Sequence, residues 1–160
     1  MNKIYIGKIV GTHGIKGEVK ILSNFQYKNK VFIIGNKLLI DNQEYIIKSY
    51  RHHKKFEMVT LNDYNNINDV LYLIQKDVYI YKNELELESN EILDSELICF
   101  KVINNRGENG IIKEIFLASP NNKIMRIMFS HEVLIPMNSP YLKINKDKQE
   151  VYINLIEGMW

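Results

Sequence analysis

Residues 4–21 read IYIGKIVGTHGIKGEVKI, and few folds accommodate such a stretch. Ile4, Ile6, Ile9 and Val10 form an apolar run rich in β-branched side chains, while Glu18, Val19, Lys20 and Ile21 alternate polar with apolar. A period of two on both flanks predicts half-buried strands and not a helix. Between the flanks Gly11, Gly14 and Gly17 recur at every third position, with Thr12, His13, Ile15 and Lys16 among them. Glycines in such a loop permit positive φ and let its backbone approach a neighbour. Context counts against three ligand loops. A dinucleotide fingerprint needs G-x-G-x-x-G followed by a helix. A Walker A loop ends in Gly-Lys-Ser/Thr. The GXXG clamp of KH domains sits between helices, whereas these flanks are strands.

The same short period, cut by turn residues, continues along the chain. Residues 23–30 are polar and basic, as a loop would be. Gly35-Asn36 and Asp41-Asn42 read as turns around a strand over 37–40. Strands over 44–50 and 56–61 are joined by Arg51-His52-His53-Lys54-Lys55, the most basic segment. A solvated hairpin tip and a phosphate-contacting loop both fit that composition. At 65–74 the period changes. Ile67, Val70, Leu71 and Ile74 lie at i, i+3, i+4 and i+7, predicting a short helix capped by Asn65 or Asn66. A strand over 78–81 completes about six strands and one helix, a small closed or partly closed barrel.

Glu84, Glu86, Glu88 and Glu91 then make an acidic run of the kind that forms a solvated connector. Beyond it strands are expected over 97–103, 110–117, 123–129, 132–135, 142–145 and 151–155, separated by polar turns, again the pattern of a small barrel. Trp160, a large apolar group at the end, is expected to dock on that barrel or to mark a contact surface.

Charge divides along the same line. Residues 1–82 hold 13 Lys/Arg against 7 Asp/Glu, a net +6, and residues 83–160 hold 8 against 12, a net −4. Halves of opposite sign suggest different partners. A single cysteine, Cys99, excludes an internal disulfide and a thiolate-rich metal site. No apolar run is long enough to span a bilayer, and no leader precedes the first strand, so a cytoplasmic protein is expected. Catalytic groupings are equally scarce. His52 and His53 are adjacent and on a strand would point apart; no H-E-x-x-H and no G-x-S-x-G elbow occurs. The expectation is a protein without catalytic residues, metal or cofactor.

Gly7, Lys8, Ile9, Val10, Gly11, Thr12, His13, Gly14, Lys16, Gly17, Glu18 and Val19 together resemble the N-terminal signature of the ribosome maturation factor RimM family. The second half is similar to the PRC-barrel domain of that family at Leu97-Ile98, Asn105-Arg106-Gly107, Gly110-Ile111-Ile112, Leu134-Ile135-Pro136 and Glu157-Gly158-Met159. Two departures stand out. Ile92 and Leu93 occupy the place of a pair of aromatics that the family links to ribosome association, and Cys99 replaces a glycine. An apolar pair can still pack against a partner, without the hydroxyls.

The resemblance implies a mainly β chain of two small β-barrel domains in tandem, with one short helix in the first. The expected limits are 1–83 for the six-stranded N-terminal barrel, 84–94 for the acidic linker and 95–160 for the PRC-barrel-like domain. It also implies an assembly chaperone for the head of the small ribosomal subunit. Such a factor binds small-subunit ribosomal protein nineteen and supports rRNA processing without catalysing it, as a monomer. On charge, Lys8, His13, Lys16, Lys20, Arg51, His52, Lys54 and Lys55 are the candidates for rRNA or ribosome contact. Gly11, Gly14 and Gly17 are the structural loop glycines. Ile92, Leu93 and Trp160 are the candidates for ribosomal-protein contact, in an acidic half that would steer a basic protein. Two other readings are a general RNA-binding protein with a translation-factor-like barrel and a flavin enzyme. Affinity for naked RNA with a steep salt slope marks the first, and a coloured purified protein marks the second.

Overall fold

The computed structural model describes residues 2–89 and 91–159, so Trp160 and its expected contact lie outside the described residues. The chain divides into two compact units, residues 1–87 and 88–160. Both are mainly β, with six strands each. Among the described residues no helix is long and apolar enough to cross a membrane.

The first unit contains β1 (Lys3–His13), β2 (Glu18–Leu22), β3 (Lys37–Ile40), β4 (Gln43–His53), β5 (Phe56–Leu61) and β6 (Asp77–Tyr81). They close into an antiparallel barrel in the order β1-β2-β5-β4-β3-β6. Closure depends on β1, which pairs with β2 along one part and with β6 along the other. Its register shifts between Tyr5 and Gly7 on the β6 side and between Ile9 and Gly11 on the β2 side. Such bulges bend a strand and let it turn a barrel corner. At the first of them β1 runs tight against the end of β2. A Cβ on Gly7 would lie 2.4 Å from the Leu22 carbonyl oxygen and 3.1 Å from Ser23 Cα. Ser23, nearly buried, donates its hydroxyl to the Ile6 carbonyl at 2.6 Å and so fixes this approach.

Alternation along the strands fills the barrel. Ile6, Ile9, Val19, Ile21, Leu38, Ile40, Ile47, Val59, Leu61, Val78 and Ile80 are buried in one cluster. Each is worth on the order of 2 kcal/mol of apolar transfer. The expected loop at 23–30 holds a helical turn, α1 (Lys28–Val31), which sends Val31 into that core, followed by Phe32. The β3–β4 connection is the two-residue turn Asp41-Asn42 with φ of 53° and 62°. Positive values at both positions suit the right-handed twist of a hairpin.

The helix expected at 65–74 is instead two 3-10 turns, Ile67–Asp69 and Leu71–Leu73. The Asn66 side chain caps the first by accepting from Asn68 N. Only Val70 and Leu73 reach the core, three residues apart, which is the period of a 3-10 helix. Leu71, expected on the buried face, is exposed.

The second unit contains a helical turn α2 (Asp94–Leu97), then β7 (Lys101–Asn104), β8 (Asn109–Ser119), β9 (Asn122–Met128), β10 (Glu132–Pro136), β11 (Leu142–Asn145) and β12 (Glu150–Ile153). Its ladder runs β10-β9-β8-β7-β12-β11, with β12 and β7 parallel. Val102, Ile112, Met125, Ile127, Val133, Ile135, Val151 and Ile153 share one core, which requires a strongly curved sheet. The strand expected from 97 begins only at Lys101, because Asp94 and Glu96 favour a helical first turn that buries Leu97.

Candidate nucleic-acid interface

The β4–β5 hairpin carries the basic tip. His53 pairs with Phe56 across the turn Lys54-Lys55, and Lys54 takes a left-handed φ of 56°. Alternation then sorts the side chains. Tyr50 packs against the barrel core and His52 faces Glu57, whereas Arg51 and His53 face outward. The adjacent histidines do point apart.

Outside the barrel several cations converge. The rings of His13 and His53 lie 6.0 Å apart. Lys20 Nζ stands 5.3 Å from the centroid of the Phe56 ring, and Lys55 Nζ 5.6 Å. Desolvation first, then Arg51, Lys54, His13 and Lys20, hold the His53 imidazole below its ordinary range. Arg51 grips Glu18 with two charge-assisted bonds, Nε to Oε2 at 2.9 Å and Nη2 to Oε1 at 2.8 Å. The Arg51 hydrogen bond keeps the Glu18 carboxyl below its ordinary value, against a smaller opposing effect of burial. The clamp ties β4 to β2 and fixes the guanidinium in place. Arg51, Lys20, Lys54 and Lys55 thus gather about the His53 and Phe56 rings, an arrangement able to neutralise several phosphates at once.

Not every expected contact belongs to this cluster. Lys8 lies in register with Leu22 and Asp77, five residues back along β1 from His13, or about 16 Å at the usual strand rise. Lys16 sits in the Gly14–Gly17 turn. That turn is held to the 3-10 segment, since Ile67 N donates to the Ile15 carbonyl at 2.9 Å. His52 turns its Nδ1 to Glu57, at 3.0 Å and 3.1 Å from the two carboxylate oxygens. Among the loop glycines, Gly14 and Gly17 have φ of 69° and 86°, and a Cβ on Gly17 would press on Asn66. Gly11 differs: it is a strand residue paired with Lys20, lacks positive φ, and a Cβ there would meet nothing within 4 Å. The loop is shorter than the glycine spacing suggests, because β1 runs on through His13.

Glu57 is the residue that the sequence reading missed. It is 2% exposed, and it accepts from Tyr50 Oη at 2.7 Å while Lys28 Nζ on α1 stands at 4.0 Å. Burial first, then Glu57, pushes the Tyr50 hydroxyl up to about 12. Parity held the signal: Glu57, Val59 and Leu61 share the inward phase of β5.

In the second unit Leu93, named with Ile92 as a candidate for ribosomal-protein contact, is only 4% exposed. Ile92 is half-buried and lines an open groove of about 710 Å³ along the β11–β12 hairpin, together with Lys143, Lys146, Lys148 and Tyr152. Among the described residues no group of His, Cys, Asp and Glu is placed to hold a metal ion.

Comparison with known proteins supplies the context. Residues 4–85 match the family model of the RimM N-terminal domain. The ribosome maturation factor RimM of Bacillus mycoides (strain KBAB4) is 32% identical, with 96% of each chain covered. That of Bacillus cereus (strain G9842) is 30% identical over the same share. A RimM crystal structure from Pseudomonas aeruginosa spans 97% of this chain and 98% of its own, at 21% identity and a TM-score of 0.47. With a matched domain covering half its length and relatives aligned almost end to end, the chain belongs to the RimM family.

Proposed function

We propose that this protein is an assembly chaperone of the small ribosomal subunit, acting by binding and not by catalysis. It holds the maturing head of the subunit, contacts small-subunit ribosomal protein nineteen, and supports rRNA processing as a cytoplasmic monomer. The observation that carries this reading is the convergence of Arg51, Lys20, Lys54, Lys55 and His13 on the neighbouring His53 and Phe56 rings at one place on the first barrel. Phosphates fit there, and the rRNA contact belongs to that cluster. Lys8 and Lys16 contribute longer-range charge. The protein contact falls to the second unit. Ile92, which lines the β11–β12 groove, is a candidate for it, with Trp160 a further candidate from the sequence.

Affinity capture of the tagged full chain followed by mass spectrometry tests the reading. Precursor small-subunit particles in the eluate are the expected result; their absence, with metabolic enzymes in their place, overturns it. A second measurement addresses the interface. The double variant Lys54→Gln/Lys55→Gln should weaken binding to these particles and lower the salt slope by about 1.4, at roughly 0.7 for each phosphate contact to a single strand. An unchanged slope would remove the tip from the interface. Equal affinity for naked rRNA and for the particle would favour the general RNA-binding reading.

A further inference from the structure

The 3-10 segment of the first unit builds a second surface, unlike the basic tip. Tyr45 is buried at the start of β4, and its hydroxyl lies 2.9 Å from that of Tyr72. The Tyr72 hydroxyl is in turn 3.4 Å from that of Tyr64, and the Tyr64 and Tyr45 rings stand 6.4 Å apart. Three phenols therefore form one hydrogen-bonded chain from the core to the surface. Its outer part is open to solvent: Tyr72 is 54% exposed and Leu71 46%. Ile15, at 76%, rides on the turn bonded to Ile67.

Rings anchored in this way lose little freedom on binding, and exposed Tyr beside Leu is the composition of a contact surface and not of a solvated loop. Charge narrows the partner. Residues 62–75 include Asp63 and Asp69 and no Lys or Arg, within a half whose net charge is +6. Both aspartates are exposed, and Asp69 is close enough to act on the Tyr64 hydroxyl. A nucleic-acid backbone meets two carboxylates in this segment and no Lys or Arg within it. A guanidinium finds tyrosine faces to stack on and carboxylates to pair with.

We propose that the Tyr64–Tyr72 ridge, with Leu71 beside it, is a docking surface for an arginine-rich protein segment that carries an apolar anchor. The anchor covers Leu71, and its arginines lie over the tyrosines toward Asp69 and Asp63. The ridge uses none of the side chains of the basic tip, so its failure leaves the assignment of that tip untouched.

Titration of the isotopically labelled full chain, followed by amide NMR, tests it with three probes. These are a synthetic peptide alternating Arg and Leu, the same peptide with Glu for Arg, and an oligouridylate. The Arg peptide should shift the amides of residues 62–75 saturably, and the other two should not. Asp69→Asn, at an exposed position, should weaken the Arg peptide several-fold without changing the spectrum elsewhere. Leu71→Ser should weaken it about tenfold. Shifts centred on the acidic run 84–91, an equal response to the Glu peptide or the oligouridylate, or an Asp69→Asn variant that binds like the parent would each overturn the proposal.

Discussion

Two glycines in the same strand should respond oppositely to alanine. At Gly7 a methyl group would sit 2.4 Å from the Leu22 carbonyl oxygen and 3.1 Å from both Cα and Cβ of Ser23. Ordinary contact begins near 3.4 Å, so the end of β2 would have to retreat by about 1 Å. Its freedom to do so is small. Leu22 is in register with Lys8, and Ser23 is bonded to the Ile6 carbonyl. Overpacking of this kind costs about 1–3 kcal/mol, and losing the Ser23 bond adds about 1 kcal/mol. Gly7→Ala should therefore destabilise the first unit by about 3 kcal/mol. Gly11→Ala meets nothing within 4 Å and needs no left-handed backbone. There the lower chain entropy of alanine should make the change neutral or stabilising by about 0.5 kcal/mol. Urea unfolding followed through amide resonances of the first unit separates the two. The Gly7→Ala midpoint should fall by roughly 1–3 M, while that of Gly11→Ala stays within a few tenths. Equal shifts would refute the claim that β1 is pinched at Gly7.

Three further outcomes follow from the hairpin and its clamp. Glu18→Gln removes the carboxylate that holds Arg51, which should cost less than about 1 kcal/mol yet tighten binding of an oligouridylate at low salt; weaker binding would contradict the electrostatic picture of the tip. Glu57→Ala leaves the Tyr50 hydroxyl without its acceptor, with an expected loss of about 3 kcal/mol, whereas Glu57→Gln should retain most of the stability in thermal unfolding. In alkali the Tyr50 hydroxyl, raised from 10.0 to about 12, keeps its proton in the folded chain after the unfolded chain has lost it. Stability should accordingly fall as pH rises from about 10 to about 12, and Tyr50→Phe should make that part of the profile shallower in pH-dependent urea unfolding.

What the sequence displayed depended on whether a local pattern had one structural solution. Alternation in Glu18–Ile21 and the Asp41-Asn42 pair each had one, and β2 and the tight turn appear where expected. Spacing of i, i+3, i+4 and i+7 at 67–74 had two. An α-helix would bring Val70 and Leu71 to one face, whereas the pair of 3-10 turns brings Val70 and Leu73 inward and leaves Leu71 and Tyr72 outside. The glycine triplet held at Gly14 and Gly17, which take positive φ, with Gly17 close against Asn66, and not at Gly11. Close approach in β1 occurs at Gly7, four residues before the triplet, because the register shift at Tyr5/Gly7 and the path of β2 create it. Those are long-range facts. The same holds for the tip: its basic composition is local, but the meeting of His13 and Lys20 with His53 and Phe56 requires β2 to pair with β5.

Inside and outside of that hairpin are coupled. Side chains alternate every two residues along a strand, so a slip of one residue along β4 would turn Arg51 and His53 inward and expel Tyr50 from its place against the core. Glu57 opposes the slip. Its carboxylate, buried against Tyr50 Oη, His52 Nδ1 and Lys28 Nζ, is satisfied only in the observed register, and a buried carboxylate without donors costs several kcal/mol. Repacking Glu57 with leucine could preserve stability, since apolar groups often replace buried ionic ones at little cost. It would, however, remove the polar test of register and with it the fixed outward placement of Arg51, Lys54 and Lys55. Glu57→Leu is thus expected to dissociate two properties: thermal stability near the parent level, and a weaker binding to precursor particles that Glu57→Gln does not share. A stable Glu57→Leu protein that binds as tightly as the parent would show that the tip is ordered by Arg51–Glu18 alone.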